Sequence, residues 1–212
     1  MSREPGFVAN NHDCVLKKVK ASCGTIMVDY ASDFSFHFMQ TSVDGAQMVE
    51  AKHKFERLAN NRGVNIKHYY ADNKNFNEIV FRKSCIATTQ MHKFCGLNAY
   101  HQNGVADRKI STVMSLSRAM LFAAMIKNPK VFTLAFWPLA VHYDVDILNN
   151  MSSSSGFMSK EIFTGVKGDR YFKCFHTFCP PNLVLDPRTQ QDDALPTWNP
   201  RSLTSALVGK PI

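Results

Sequence analysis

Between residues 25 and 59 the hydrophobic pattern changes from a period of two to a period of three or four. Thr25–Tyr30 is a short apolar run, and beyond a polar tripeptide Phe34, Phe36 and Phe38 alternate with other residues. Two such runs around a short turn predict an antiparallel hairpin with the three phenylalanines in the core. The residues that follow have helical spacing and predict a helix from Ser42: Met48, Ala51, Phe55, Leu58 and Ala59. A hairpin followed by a helix is typical of a sheet covered by helices.

Strand and helix patterns continue to alternate along the chain. They predict a strand at Val64–Ala71, a short helix at Phe76–Cys85, a strand near Phe94–Leu97, a long helix from Val105 to Pro129 and another helix at about Thr133–Asn149. A serine-rich linker lies at Met151–Gly156. The predicted fold class is therefore α/β, a mixed sheet flanked by helices over residues 1–150. A small irregular or β extension, rich in proline, is predicted over residues 151–212.

Composition sets the broad class of the protein. With 212 residues, 45% hydrophobic and 20% charged, the chain can bury a core and is not expected to be disordered. Six cysteines favour a reduced, intracellular protein over a disulfide scaffold. No secretory signal follows Met1, and the longest uncharged apolar stretch, Val131–Val141, is short and contains Pro138. No membrane span is therefore expected.

The net charge of +8 is unevenly distributed along the chain. Residues 51–130 contain 14 basic and 4 acidic side chains, while residues 1–50 contain 4 basic and 6 acidic, and residues 131–212 contain 7 of each. A clustered basic segment favours a polyanion partner, most often nucleic acid. A solvated, lysine-rich helical face explains the same composition, and the charge alone leaves both interpretations open.

Two acidic residues are candidates for chemistry because of where they fall in this pattern. Asp72 ends the predicted strand Val64–Ala71, and Asp107 lies in the first turn of the long helix. A strand-end carboxylate and a helix-borne carboxylate can converge at one edge of a sheet. There they can share Mg²⁺ or Mn²⁺, which activate a water or hydroxyl in phosphodiester chemistry. Each also has a structural explanation, Asp72 as a turn former beside Asn73 and Asp107 as a complement to the helix dipole.

Residues around both acids resemble the catalytic core of copia-type LTR-retrotransposon integrases, members of the retroviral integrase superfamily with an RNase H-like fold. Lys67–Asn73 resembles the family strand with the second catalytic Asp, and Cys95–Arg108 resembles the loop and helix with the catalytic Glu. Further segments extend the similarity along nearly the whole chain: Arg118–Leu121, Trp137–Ala140, Ile162–Lys167 and Leu183–Asp186. The resemblance implies DNA integration by metal-dependent 3′-processing and strand transfer.

The resemblance also implies roles for particular residues. Asp72 and Asp107 would be the catalytic residues and the ligands of Mg²⁺ or Mn²⁺. Double-stranded DNA, of element ends and target, would lie along the active-site helix. The implied DNA contacts come from five residues: Asn103, Arg108, Lys109, Arg62 and Lys67. A homodimer, and a location in the nucleus or in a cytoplasmic particle, follow from the same resemblance.

Three departures from the family pattern bear on activity. The similarity begins at about Gly6, just after the strand that carries the first catalytic Asp, so we expect an N-terminally truncated copy. Asp29 matches a non-catalytic family position and is interpreted as a hairpin-end residue. The family Glu is replaced by Asp107, shorter by about one C–C bond, and the Gly after Asp-Asn is Lys74. We therefore expect a pseudoenzyme; the alternatives are a non-catalytic nucleic-acid-binding remnant, a structural α/β protein and another RNase H-like nuclease.

Four residues are of types that bind zinc: Cys85, His92, Cys95 and His101. Their spacings contain no Cys-x-x-Cys pair, so no zinc is expected in this segment. The cysteines are interpreted as small buried hydrophobic residues.

Overall fold

A computed structural model describes residues 8–9, 21–71, 76, 78–95, 103–129, 131–152, 156–167, 177–179, 181–185 and 202–207. The strands are β1 (Val8–Ala9), β2 (Cys23–Val28), β3 (Ser35–Gln40), β4 (His68–Ala71), β5 (Met91–Phe94), β6 (Pro181–Leu185) and β7 (Ser202–Leu207). The helices are α1 (Gly45–Asn60), α2 (Ile79–Ala87), α3 (Gly104–Lys127), α4 (Trp137–Asn150) and α5 (Ser159–Thr164), with a 3₁₀ turn at Leu134–Phe136. Small sheets flanked by helices confirm the predicted α/β class.

The chain divides into two compact units. The core unit comprises Ala21–Ser115 and Asp144–Tyr171, and the second unit comprises Met1–Lys20, Leu116–Tyr143 and Phe172–Ile212. In the second unit, β7 pairs antiparallel with both β1 and β6. This grouping does not test the predicted division between residues 150 and 151, which stays a prediction.

β2 and β3 form the predicted antiparallel hairpin of the core unit. The register runs from Cys23 opposite Gln40 to Val28 opposite Ser35. On the outer edge of β3, the side-chain amide of Asn149 accepts a hydrogen bond from the Ser35 N–H at 2.8 Å and donates one to the Ser35 carbonyl at 2.7 Å. Asn149 thus takes the place of a further strand at that position.

The helix predicted from Ser42 begins at Gly45, because Asp44 caps it by accepting a hydrogen bond from the Gln47 N–H at 2.8 Å. Four of the five predicted positions are buried, Leu58 is half-buried, and Gly45 and Lys52 are buried in addition: Gly45, Met48, Ala51, Lys52, Phe55 and Ala59. The helix is capped at its C-terminus by Asn61, and Gly63, two residues further on, has a φ of +75°. The positive φ explains a glycine there.

β4 and β5 pair in parallel, with His68 opposite Met91 and Ala71 opposite Phe94. The strand predicted near Phe94–Leu97 therefore begins three residues earlier. Backbone pairing decides the difference, because the Met91 N–H donates to the Lys67 carbonyl at 2.9 Å. The short helix between the two strands is displaced in the opposite direction from its prediction and begins at Ile79.

The hydrophobic core of this unit is built on phenylalanine rings. Phe34 stacks on Phe163 with centroids 4.4 Å apart, and Phe36 stacks on Phe55 at 5.3 Å. Phe38 packs against the same cluster, which confirms that the three alternating phenylalanines belong to the core. Phe163 comes from α5, a helix that the sequence patterns did not predict, and it is buried.

The long helix α3 begins one residue before its predicted start and ends two residues before Pro129. Its buried positions recur at helical spacing: Val113, Ser117, Leu121 and Ala124. Met114 is 42% exposed, because it lies beside this face rather than on it. Within the described residues, α3 is the one helix long and apolar enough to cross a membrane by length and composition. The sequence analysis expected no segment able to span a membrane, and by length and composition α3 departs from that expectation. Long helices in the cores of soluble proteins pass the same test.

Candidate functional site

One cavity of about 870 Å³ brings together the two regions around the candidate carboxylates. Ala71, the last residue of β4, lines it together with Asp107 from the first turn of α3. Asn103, which directly precedes α3, lines the same cavity. A strand end and a helix start thus line the same cavity.

Asp72 itself lies outside the described residues, so its part in the site stays a prediction. It directly follows Ala71 in the chain. Asp107 is exposed to solvent at the start of its helix, a position where a carboxylate also complements the helix dipole. Both explanations for Asp107 therefore remain compatible with its place in the fold.

Three aspartates in the described part of the chain before β4 are engaged in local structure. Asp29 accepts hydrogen bonds from the Ser32 N–H at 2.9 Å and the Ser32 hydroxyl at 2.6 Å. This bonding is the hairpin-end role expected of Asp29, although the residue also lines the cavity. Asp33 forms an ion pair with Lys109, and Asp44 caps α1.

The partners of these aspartates limit which side chains could bind the expected divalent metal ion. Among the described residues no group of three or more histidine, cysteine, aspartate or glutamate side chains could hold a metal. Of the two carboxylates that line the cavity, Asp29 accepts hydrogen bonds from Ser32, and Asp107 is exposed to solvent. The described residues alone therefore do not make up a site for Mg²⁺ or Mn²⁺, and Asp72, the other expected ligand, lies outside them.

The five residues expected to contact DNA differ in their surroundings. Arg62, Lys67 and Arg108 are exposed, and Lys67 lines the cavity. Asn103 is half-buried at the same cavity. Lys109 is mostly covered, with 11% of its side chain exposed, because its ammonium group binds Asp33. The fold brings Lys67 and Asn103 to one cavity and commits Lys109 elsewhere.

A buried polar network near the cavity was not predicted from the sequence. The ammonium of Lys52, fully buried, lies 3.0 Å from the Glu56 carboxylate and donates to the Thr88 hydroxyl at 3.2 Å. Glu56 also accepts hydrogen bonds from the Tyr69 hydroxyl at 3.0 Å and the Gln90 amide at 2.5 Å. Burial, and then the charge of Glu56, raise the pKa of Tyr69 above its usual value. The one signal in the sequence was the four-residue spacing of Lys52 and Glu56.

No protein family model matches the sequence, and no curated protein matches it. The solved structures that are similar to the chain include two of the HTLV-2 integrase catalytic core domain in complex with magnesium. The trimeric form has a TM-score of 0.51 at 17% identity, covering 66% of this chain and 84% of that one. The dimeric form has a TM-score of 0.50 at 18% identity, covering 66% and 83%. At this identity the likeness establishes the fold, which is that of an integrase catalytic core.

Proposed function

We propose that this chain is an integrase-like core of the copia retrotransposon type that binds double-stranded DNA and performs little or no strand transfer. One observation supports this proposal above the others: the end of β4 and the first turn of α3 line the same cavity, at the positions singled out by the motifs around Asp72 and Asp107. The integrase-core fold and the basic character of residues 51–130 agree with it.

DNA binding in this proposal depends on exposed cations near that cavity. Arg108 on α3, Lys67 at the cavity and Arg62 beyond α1 are exposed and available to phosphates. Asn103 lies at the entrance of the helix and supplies a neutral hydrogen-bonding group. Lys109 contributes less than Arg108, because Asp33 already binds its ammonium group.

Weak catalysis follows from the carboxylates. Two-metal phosphodiester chemistry needs several oxygen ligands at fixed positions. Asp29, Asp33 and Asp44 serve the hairpin turn, an ion pair and a helix cap. Asp107 has a shorter side chain than the glutamate of the family motif. The carboxylates of the described residues would therefore, by themselves, hold divalent cations poorly.

Salt-dependent binding to a short duplex tests the DNA proposal. We expect the magnitude of the slope of log K against log salt concentration to decrease by about one in Arg108→Ala and in Lys67→Ala. Each variant makes one phosphate contact fewer, so that about one counterion fewer is released on binding. Arg82→Ala, which removes an exposed charge from α2, is the matched control and should leave the slope unchanged. Absence of duplex binding at low salt would contradict the proposal and favour a purely structural protein.

Strand transfer is tested with the same protein, short duplex ends and Mg²⁺ or Mn²⁺. We expect no joined products, and no recovery in Asp107→Glu, because lengthening one ligand does not supply the others. Joined products that disappear in Asp72→Ala would show an active integrase and overturn the inactive assignment. Sedimentation in the same buffer tests the homodimer that the family resemblance implies.

A further inference from the structure

The parallel pair β4–β5 in the core unit has two faces with different surroundings. One face packs on helices: Tyr69 lies edge-on to Phe81 of α2, with ring centroids 5.8 Å apart, and its hydroxyl donates to the Glu56 carboxylate of α1 at 3.0 Å. Ala71, two residues further along β4, is buried. This inner face is therefore covered by α1 and α2.

The opposite face, here called the outer face, consists of His68, Tyr70, Met91 and Lys93. Side chains of a strand point alternately to its two sides, and the register places His68 opposite Met91 and Tyr70 opposite Lys93. All four residues are exposed, Tyr70 to 49% and Met91 to 62%. Because parallel sheets are normally covered on both faces, an exposed aromatic ring and an exposed methionine indicate a surface that a ligand covers.

The ring of Tyr70 is held at its hydroxyl end. A hydrogen bond with the side chain of Cys95 raises the pKa of Tyr70, so the phenol stays neutral and does not repel an anion. Cys95 directly follows β5 and is buried. The ring is thus fixed over the outer face, toward the ends of the two strands, while the residue remains exposed.

The charged groups of the outer face are basic. Lys93 belongs to this face, His68 adds an imidazole, and none of the four residues is acidic. Lys67, which directly precedes β4, is also exposed. Proteins bind single-stranded nucleic acid with this combination, because cations attract the phosphates and the bases stack on aromatic rings. A double helix keeps its base faces stacked on one another, so an unpaired strand fits this surface better than a duplex does.

We propose that the outer face of β4 and β5 binds an unpaired stretch of nucleic acid, with a base stacked on Tyr70 and a phosphate paired with Lys93. The thioether of Met91 packs against the neighbouring nucleotide. The four side chains are about 6.6 Å apart along each strand and about 4.8 Å apart between strands, which suits about two or three nucleotides. This site is separate from the proposed duplex contacts along α3 and does not depend on them.

A fluorescently labelled oligothymidylate, compared with an abasic oligomer of the same length, tests this proposal on the full chain by anisotropy. The two strands have the same phosphates and differ in their bases, so only a stacking site distinguishes them. We expect the abasic strand to bind at least about fivefold more weakly, since one stacked base contributes about 1 kcal/mol or more. Equal affinities, or no saturable binding at low salt, would overturn the proposal. An oligouridylate of the same length, titrated in parallel, distinguishes RNA from DNA as the source of the strand.

A tyrosine variant examines the protein side of the stack. Tyr70→Thr removes the ring and keeps a residue suited to a strand. We expect it to lower the affinity for oligothymidylate at least about fivefold and to leave the affinity for the abasic strand unchanged. Tyr30→Thr, which removes an exposed tyrosine two residues after β2, is the matched control and should bind both strands as the wild type does. Wild-type affinity of folded Tyr70→Thr for oligothymidylate would contradict the proposal.

A lysine variant examines the phosphate contact. We expect Lys93→Ala to decrease the magnitude of the slope of log K against log salt concentration by about 0.7, the value for one phosphate of a single strand. The decrease should be the same for oligothymidylate and for the abasic strand. Lys83→Ala, which removes an exposed charge from α2, is the control and should leave the slope unchanged. An unchanged slope in Lys93→Ala would contradict binding at the outer face.

The single-strand proposal and the duplex proposal can fail separately. Tyr70→Thr should not change duplex binding, and Arg108→Ala should not change the ratio of the affinities for oligothymidylate and the abasic strand. Duplex binding without a preference for bases would overturn the outer-face proposal alone. A preference for bases without duplex binding would overturn the duplex proposal alone. Polyglutamate that competes as well as oligothymidylate would indicate a site for acidic polypeptides and would also overturn the outer-face proposal.

Discussion

The ammonium group of Lys109, in the second turn of α3, forms an ion pair with the carboxylate of Asp33 at the tip of the β2–β3 hairpin. Asp33 has a φ of +59°, a left-handed conformation that aspartate tolerates better than most residues. The pair ties the start of the helix that bears Asp107 to the hairpin. It also explains why the side chain of Lys109 is mostly covered while that of its neighbour Arg108 is exposed.

We expect Lys109→Ala to change the salt dependence of duplex binding much less than Arg108→Ala, because Asp33 already neutralises the lysine. The free energy of unfolding should fall by less than about 1 kcal/mol, since Asp33 is 59% exposed and solvent screens the pair. Asp33→Asn should free Lys109 and raise the salt slope by about one. An equal decrease of the slope in Lys109→Ala and Arg108→Ala would contradict this assignment. Duplex titrations at several salt concentrations measure all three variants.

The buried Lys52–Glu56 pair should contribute far more to stability than the neighbouring Lys54–Glu50 pair. Glu56→Gln leaves the ammonium of Lys52, 0% exposed, without its counter-charge, and we expect a loss of about 3–5 kcal/mol in the free energy of unfolding. Glu50→Gln is the matched control on the same helix. Its pair is 42% and 53% exposed, so the loss should stay below about 1 kcal/mol. If urea unfolding gave similar losses in the free energy of unfolding for Glu56→Gln and Glu50→Gln, the buried pair would not be the more stabilising one.

Phe163 tests whether α5 belongs to the core unit. Phe163→Ala should lower the free energy of unfolding by about 3–5 kcal/mol, because the ring stacks on Phe34 and lies 6.2 Å from Phe55. Phe157→Ala, at a position 58% exposed, is the control and should cost little. Comparable stabilities of the two variants in chemical denaturation would show that the segment after residue 150 does not support this core.

The cap of α1 predicts a pH dependence. Hydrogen bonds from the Ser42 hydroxyl and then the Gln47 N–H hold the pKa of Asp44 below its usual value of 3.8. A carboxylate with a lowered pKa stabilises the folded state above pH 3.8 and loses this contribution as the pH falls through its folded-state pKa. Asp44→Ala should therefore destabilise the protein at neutral pH and approach the wild type in acid.

Asp44→Asn provides the control for that titration. Asparagine is an equally good cap but has no charge to lose, so the stability difference between Asn and Ala variants should not depend on pH. Thermal unfolding at neutral pH and at about one pH unit below that usual value of 3.8 compares the three proteins. A wild-type advantage over Asp44→Ala that persists unchanged in acid would contradict the role of the charge.

The local hydrophobic pattern predicted the hairpin and α1 well. Phe34 begins a stretch in which apolar residues recur every two positions, as in a strand, and Phe55 lies in one in which they recur every three or four, as in a helix. The position of β5 was missed, since hydrogen bonding of Met91 to Lys67 decides where that strand begins, and no local signal reports it. Burial of Lys52 was also missed. A lysine on an apolar face is normally solvated, and here Glu56 and Thr88 compensate its burial.

The sequence by itself determined the α/β class, the hairpin and the two motifs around Asp72 and Asp107, because these depend on residue type and short-range period. Only the tertiary structure decided which distant groups meet: Lys109 with Asp33, Phe163 with Phe34, and Ala71 with Asp107 at one cavity. It also decided that residues of β2 and β4 line the same cavity. Pairing between distant segments depends on how their side chains pack in three dimensions. The hydrophobic period of one segment does not identify the segment that it packs against.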